Sequence, residues 1–264
     1  MKFKCIVVFY NVNYKDSPSY VDLLKTDIYK EGRMEIVCVD NSVRDFENQE
    51  LSFKPNHHYI SMEGNKGLSK AYNAAINYLM EQDGQNDLFV LMDDDTHIGN
   101  DYFAKMEEAF QNECDIFLPV VYDQQGILSP SIMRKYRCRR CKSLKQIRAN
   151  NICGINSGMA IRKHVFEEYR YDERIFLDYV DHRFIRDMKR MKKKICIVDT
   201  MLHQNFSAIT DSYEQTITRF QIFKKDIKVF YSEGIINKLV YCYIILRRKL
   251  GIAIKFKKIE AMWK

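Results

Sequence analysis

Three adjacent carboxylates, Asp93, Asp94 and Asp95, directly follow the apolar run Leu-Phe-Val-Leu-Met at 88–92. Like charges this close repel one another and cost stability unless a cation or hydrogen-bond donors offset them. A divalent cation, Mg²⁺ or Mn²⁺, shared with phosphate oxygens of a substrate is one explanation. A solvated acidic turn ahead of a helix is the other. Further along, Asp178 and Asp181 stand three apart within Phe-Leu-Asp-Tyr-Val-Asp. At a helix entry that spacing suits a capping residue and a neighbour on the same face, and it also suits a general base. From spacing alone, the cap with a surface partner is the simpler reading. His203 follows an apolar segment at 195–198, where a lone imidazole is more often packed or exposed than a metal ligand.

A glycine turn, Gly64-Asn-Lys-Gly67, opens a helical pattern at Leu68. Such a turn can hold an anion at a helix N-terminus, although an ordinary helix entry fits it as well. Neither G-x-G-x-x-G nor a P-loop spacing occurs, which argues against dinucleotide-binding Rossmann enzymes and P-loop kinases. Cys138 and Cys141 form a CxxC, but no second CxxC or nearby HxxxH supplies the remaining ligands of a zinc site. Neither zinc nor redox chemistry is therefore expected there. Cys5, Cys38, Cys114, Cys153, Cys196 and Cys242 lie among apolar neighbours and read as buried, reduced thiols of a cytosolic protein.

The elements that must position these groups alternate. Strands are expected at 3–10, 35–39, 58–61, 88–92, 116–121 and 195–198. Helical periodicity appears from 18 to 28, with Ser17 as N-cap and Pro18 at the first helical position. It returns at 68–79, 102–110 and 181–194. Strand–helix alternation implies βαβ units and a mostly parallel sheet. Ligands of such sheets bind beyond the carboxyl ends of the strands, where Asn11, Asp40-Asn41 and Asp93–Asp95 fall. Residues 122–150 read as a long irregular connection, and the chain turns helical and basic from about 211.

The chain has 264 residues and 46% hydrophobic composition. That suits one large domain, or a domain with an appendage, and argues against disorder. Its net charge of +7 conceals an asymmetry: 22 acidic against 11 basic residues in 1–132, and 31 basic against 13 acidic in 133–264. The basic half suits phosphate or anionic lipid, while the acidic half would repel a nucleic-acid duplex. No run is long enough to span a bilayer, and no signal-peptide pattern precedes the first strand. A cytoplasmic protein, with a peripheral membrane position open to residues 235–249, is expected.

Seven segments in order resemble the inverting GT-A glycosyltransferases of family 2, rhamnosyltransferase-like and galactofuranosyltransferase-like members above all. They are Val7-Val8-Phe9-Tyr10-Asn11, Val39-Asp40-Asn41-Ser42, Gly64-Asn65-Lys66-Gly67 with Ala71, Tyr72, Asn73 and Ala75, Leu91-Met92-Asp93-Asp94-Asp95, Asn156-Ser157-Gly158-Met159, Phe176-Leu-Asp-Tyr-Val-Asp181, and Leu202-His203. The resemblance covers roughly 3–206. It implies an α/β GT-A domain at 1–210 with a basic helical extension at 211–264. It also implies transfer of a sugar from a UDP- or dTDP-linked donor to a hydroxyl of a saccharide or lipid-linked glycan, in cell-surface polysaccharide synthesis. On that resemblance Asn11, Asp40, Asn41, Lys66, Asn73, Asp93 and Asp94 would contact the nucleotide-sugar. Asp93, Asp95 and His203 would hold Mn²⁺ or Mg²⁺, Ser157, Gly158 and Asp178 would face the acceptor, and Asp181 would be the base. The competing expectation is a non-catalytic scaffold of the same fold or an anionic-lipid-binding protein.

Overall fold

The structure is a computed structural model that describes residues 1–263 apart from 83, 85, 135 and 205–211. In chain order the elements are β1 (Phe3–Phe9), α1 (Pro18–Lys25), α2 (Asp27–Lys30), β2 (Met34–Asp40), β3 (His57–Ser61), α3 (Leu68–Met80), β4 (Leu88–Asp93), β5 (Thr96–Ile98) and α4 (Tyr102–Phe110). They continue with β6 (Ile116–Asp123), β7 (Gly126–Ser129), β8 (Ser131–Arg134), β9 (Arg137–Arg140), β10 (Ile152–Cys153), β11 (Met159–Arg162), α5 (Val165–Glu168), α6 (Val180–Arg190), β12 (Ile195–Gln204), α7 (Tyr213–Phe230) and α8 (Ile235–Phe256).

The main sheet runs β3-β2-β1-β4-β11-β6-β12-β5, with β7 paired to β6. β3, β2, β1 and β4 are parallel, as is β12 to β6. β11 lies antiparallel between β4 and β6, so the sheet is mixed but mostly parallel. Every residue of β1 is buried because both sheet faces are covered, which is why its sequence is a continuous apolar run rather than an alternation. Ile6 and Val8 point into the core shared with α3 and α6, while Cys5, Val7 and Phe9 point into the core shared with α1 and α4.

The register explains where chemistry can sit. Asp40 pairs with Phe9 and Asp93 with Val8, so the carboxyl ends of β2, β1 and β4 form one rim. Ser17 caps α1 as its sequence predicts, accepting from the Tyr20 N–H at 3.4 Å, with Pro18 opening the helix. Its hydroxyl also donates to the Asp94 carbonyl at 2.8 Å, tying the cap to the acidic turn.

Residues 122–150 are more ordered than their composition suggests. β7 folds back on β6, and β8 pairs antiparallel with β9 and β10 in a separate three-stranded sheet. All four residues of β9 are exposed, so no apolar alternation marked it as a strand. Cys5, Cys38 and Cys153 are buried, but Cys242 is exposed on α8. Cys114 and Cys196 are joined as a disulfide rather than held as free thiols. They sit at the starts of the parallel neighbours β6 and β12, with Cα atoms 6.0 Å apart, within bridging range.

The boundary expected at 210 lies outside the described residues. Beyond it, α7 and α8 share an apolar cluster of Phe220, Phe223, Ile227 and Phe230 with Val240 and Ile252. Tyr136 of the small sheet's hairpin and Tyr179 pack on the same cluster. No helix among the described residues is long and apolar enough to cross a membrane.

Candidate active site

β4 delivers Asp93, Asp94 and Asp95 to the rim, where the backbone is pinned on both sides. The Ser19 hydroxyl lies within hydrogen-bond reach of the Asp93 and Thr96 carbonyls and accepts from the Thr96 N–H at 3.1 Å. The Asp93 side chain is held by Ser157 Oγ at 2.8 Å, Tyr72 OH at 3.3 Å and Gln204 Nε2 at 3.3 Å. Thr96 and Ser157 hydroxyls meet at 2.8 Å, which orients Ser157 toward Asp93. Asp94 Oδ2 accepts from the Tyr10 N–H at 2.9 Å. Gln204 Nε2 also reaches Asp95 Oδ1 at 3.0 Å, so one amide spans two carboxylates.

The electrostatics are those of crowded, poorly compensated anions. Burial first, then the charge of Asp95, pushes the Asp93 carboxyl up to about 6. Burial and the flanking Asp93 and Asp95 push Asp94 up to about 7, against the Tyr10 N–H. Asp95 is raised as well, chiefly by burial. No lysine or arginine among the described residues forms an ion pair with any of the three. All the donor atoms are hard oxygens, so the residues present fit a divalent cation of the Mg²⁺ or Mn²⁺ type, with Asp93 and Asp95 as the pair that converges.

A cleft of about 430 Å³ opens beside them, lined by Tyr10, Asn41, Asn65, Gly67, Asp93, Asp94, Asp95, Phe176, Gln204 and Arg219 among others. Asn41 lines it, and its Oδ1 accepts from the Lys66 N–H at 2.8 Å while its Nδ2 donates to Asn65 at 3.1 Å. Gly67 is required here. Its φ is +92°, and a Cβ would lie 2.6 Å from the Phe176 ring and 2.8 Å from the Phe176 carbonyl. The same close approach lets the Leu68 N–H donate to Phe176 O at 2.6 Å. Asp40 is buried, and its oxygens accept from the Ser42 N–H, Asn48 and Tyr59. Asn11, at φ 55°, accepts from the Val43 N–H. Both brace the loop after β2 at the edge of the cleft. The Lys66 side chain is exposed, and only its backbone joins the turn.

Several expected contacts go elsewhere. Asn73 is buried in α3, where its amide bonds the Tyr171 backbone in both directions and Glu173, bracing the 171–173 loop rather than a ligand. Ser157 is fully buried behind Asp93 and cannot face an acceptor. Gly158, at φ +74°, packs against Leu202 and Pro119, where a Cβ would clash, and its carbonyl accepts from Tyr102. Asp178 is committed to a two-point ion pair with Arg219. His203 is exposed, opposite His97 and beside Tyr122, because alternate residues of β12 face opposite sides. Its neighbour Gln204 points to the aspartates instead. Glutamine carries no motif signal, so only the strand face assigns Gln204 to the two carboxylates it donates to.

Asp181 sits in the first turn of α6, close enough to Asp93 that its charge adds to the upward push on the Asp93 carboxyl. Its Oδ1 accepts from the His182 N–H and from His182 Nδ1, both at 2.6 Å. The loop that leads to it is fixed by α7. Asp226, wholly buried, accepts the N–H groups of Phe176, Leu177 and Asp178, each at 2.8 Å. Neither Arg219 nor Asp226 stands out in the sequence, since both lie in a basic helical stretch 41 to 50 residues from the partners they hold.

Comparison with known proteins shows the family and the fold. One similar protein is the dTDP-rhamnosyl transferase RfbF of Shigella flexneri, 30% identical over a 182-residue alignment that covers 67% of this chain. The chain spans 59% of the length of that curated relative. Among solved structures, residues 1–349 of S. aureus TarS share the fold at 17% identity and a TM-score of 0.55, covering 89% of this chain and 73% of that one. The mannosyltransferase PcManGT from Pyrobaculum calidifontis, in complex with GDP-Man and Mn²⁺, aligns at 12% identity and a TM-score of 0.59, covering 99% of this chain and 73% of that one. The fold is thus that of the GT-A glycosyltransferases. The sequence model described as Glycosyl transferase family 2 matches residues 5–170, and the chain belongs to that family.

Proposed function

We propose that the protein transfers a sugar from a nucleotide-sugar to a hydroxyl of a saccharide or lipid-linked glycan, with inversion at the anomeric carbon. The observation that carries this reading is the half-buried acidic turn opening on a 430 Å³ cleft bounded by Asn41, Asn65 and Tyr10. A half-exposed tyrosine and two amides suit a nucleobase and ribose, and the carboxylates suit the diphosphate side through a shared cation. Asp93 and Asp95 hold that cation, with Gln204 fixing their orientation. When bound, it supplies positive charge to the departing diphosphate. Asp181 takes the proton of the acceptor hydroxyl. The acceptor oxygen forms its bond to the anomeric carbon as the bond to the diphosphate oxygen breaks, and the electron pair leaves with the nucleoside diphosphate. Since the family relative is a dTDP-rhamnosyl transferase, dTDP-rhamnose is the donor to test first.

The basic side of the molecule belongs to the same proposal. Ile235, Leu239, Tyr243, Leu246, Leu250 and Ile254 are exposed at three- and four-residue spacing along α8, one apolar stripe on a 22-residue helix. Beside it a groove of about 830 Å³ is lined by Arg134, Arg137, Arg139, Arg148 and Tyr243. An apolar stripe next to clustered arginines suits a helix lying in an anionic membrane interface, where a phosphate-bearing lipid-linked acceptor is met. A peripheral position on the cytoplasmic face, and a role in cell-surface polysaccharide synthesis, are parts of this reading.

Calorimetry with UDP, dTDP, GDP and ADP, with and without Mn²⁺, tests the donor side. Metal-dependent binding of dTDP or UDP is expected. No binding of any diphosphate by folded protein would turn the reading toward a scaffold or lipid-binding role.

A further inference from the structure

The small sheet brings together three residues that the sequence keeps apart. Cys138 on β9, Cys153 at the end of β10 and His182 in the first turn of α6 place their ligating atoms within 4.8 Å of one another. They come from three separate elements, two of them strands that flank β8 on opposite edges. Cys153 is buried, the His182 side chain is about one-fifth exposed, and Cys138 is exposed. The cluster therefore lies just beneath the surface. Cys153 and His182 also line a cavity of about 310 Å³, which gives an ion a way in.

The imidazole is already oriented. Its Nδ1 is bonded to Asp181 Oδ1 at 2.6 Å, so Nε2 is the nitrogen left to serve as a ligand. A carboxylate on the far nitrogen of a ligating histidine is the usual outer support of a metal site. The neighbouring cations are turned to backbone carbonyls: Lys189 Nζ to Ile152 O at 2.5 Å and Arg186 Nη1 to Phe230 O at 2.9 Å. Cys141, the other half of the CxxC, points its thiol at the Pro130 carbonyl at 3.3 Å. The CxxC pairing is thus not the functional one.

We propose that Cys138, Cys153 and His182 bind one thiophilic divalent cation, zinc, separate from the oxygen-lined site at Asp93 and Asp95. Two thiolates and an imidazole form a soft donor set that selects zinc over Mg²⁺ or Mn²⁺, with the fourth position open to solvent. The ion fastens β9 and β10 to the start of α6 and so braces the helix turn that carries Asp181.

The test uses the full chain, purified under reducing conditions without chelator, with metal content read by mass spectrometry. About one zinc per chain is expected. Cys138→Ser and Cys153→Ser should lose most of it, while Cys242→Ser and Asp95→Asn keep it. Circular dichroism confirms folding, and if Cys153→Ser misfolds, the exposed Cys138→Ser decides. Chelator-treated protein given Co²⁺ should show a thiolate-to-cobalt charge-transfer band that Cys138→Ser lacks. Absence of zinc together with absence of that band overturns the proposal. So does non-reducing peptide mapping that finds Cys138 and Cys153 joined to each other as the resident state of the protein.

Discussion

Arg219 on α7 grips Asp178, three residues before Asp181, through both terminal guanidinium nitrogens, with Nη2 at 2.8 Å from Oδ1. Helix α7 therefore reaches into the cleft rather than trailing from it. The pair is about one-third exposed on the arginine side, so its worth to global stability is small, about 0.2–1 kcal/mol. Its worth to the site is greater, because Arg219 also lines the cleft. Arg219→Ala should leave Tm within a few degrees and lower kcat/KM by about tenfold, roughly 1.4 kcal/mol in the transition state. Scanning calorimetry beside donor-saturation kinetics separates the two effects.

Asp226 behaves differently, because it is wholly buried and serves three N–H donors. Removing the carboxylate orphans all three, and an unsatisfied buried donor costs about 1–3 kcal/mol. Asp226→Ala should lower unfolding free energy by at least about 3 kcal/mol in urea titrations. Asp226→Asn, which keeps one acceptor oxygen, should lose less.

Gly67→Ala forces a Cβ into the Phe176 ring and carbonyl at a φ of +92°. A residue held in that region with a clash costs about 1–3 kcal/mol. Tm should fall by roughly 5 °C, and nucleotide affinity should weaken as the 64–67 turn shifts. Melting curves and a binding isotherm on the same preparation check both.

The acidic turn makes the metal-free protein sensitive to pH. Asp93 and Asp94 hold their protons up to about 6 and about 7 in the folded chain, above their unfolded range near 3.8. The folded state then binds more protons than the unfolded state between those limits, so stability falls as pH rises from about 4 to 7. Asp94→Asn removes one of the ionisations while keeping an acceptor for the Tyr10 N–H. In EDTA its Tm advantage over the parent should be small at pH 5 and larger at pH 8. An advantage that does not change with pH would exclude this cause.

Asp181→Asn changes the proton acceptor and little of the shape. Turnover should drop by about 10²–10⁴-fold with nucleotide affinity retained. Asp95→Ala should do the reverse for binding, weakening Mn²⁺-dependent nucleotide affinity by about tenfold or more. Equilibrium binding and single-turnover rates on the two variants show whether these roles separate.

Much of this protein was legible in its residues. Continuous apolar runs marked β1, β2, β4 and β6 because strands covered on both faces need apolar side chains throughout. Helical periodicity and the Ser17-Pro18 cap marked α1, and the run of aspartates marked the rim of the sheet. These are local signals, fixed by chain neighbours and burial. Other features depend on which distant elements happen to meet. β9 shows no alternation because it is solvent-exposed, and the disulfide of Cys114 with Cys196 follows from two parallel strands starting side by side. The face of β12 decided between adjacent residues, sending Gln204 to the aspartates and His203 outward. Packing also turned Ser157, Asn73 and Asp178 from expected ligand contacts into supports for Asp93, the 171–173 loop and the turn before Asp181. Residue type sets what chemistry a side chain can do. Only the register and packing of the folded chain set which partner it meets, since hydrogen bonds and coordination act over about 3 Å whatever the separation in sequence.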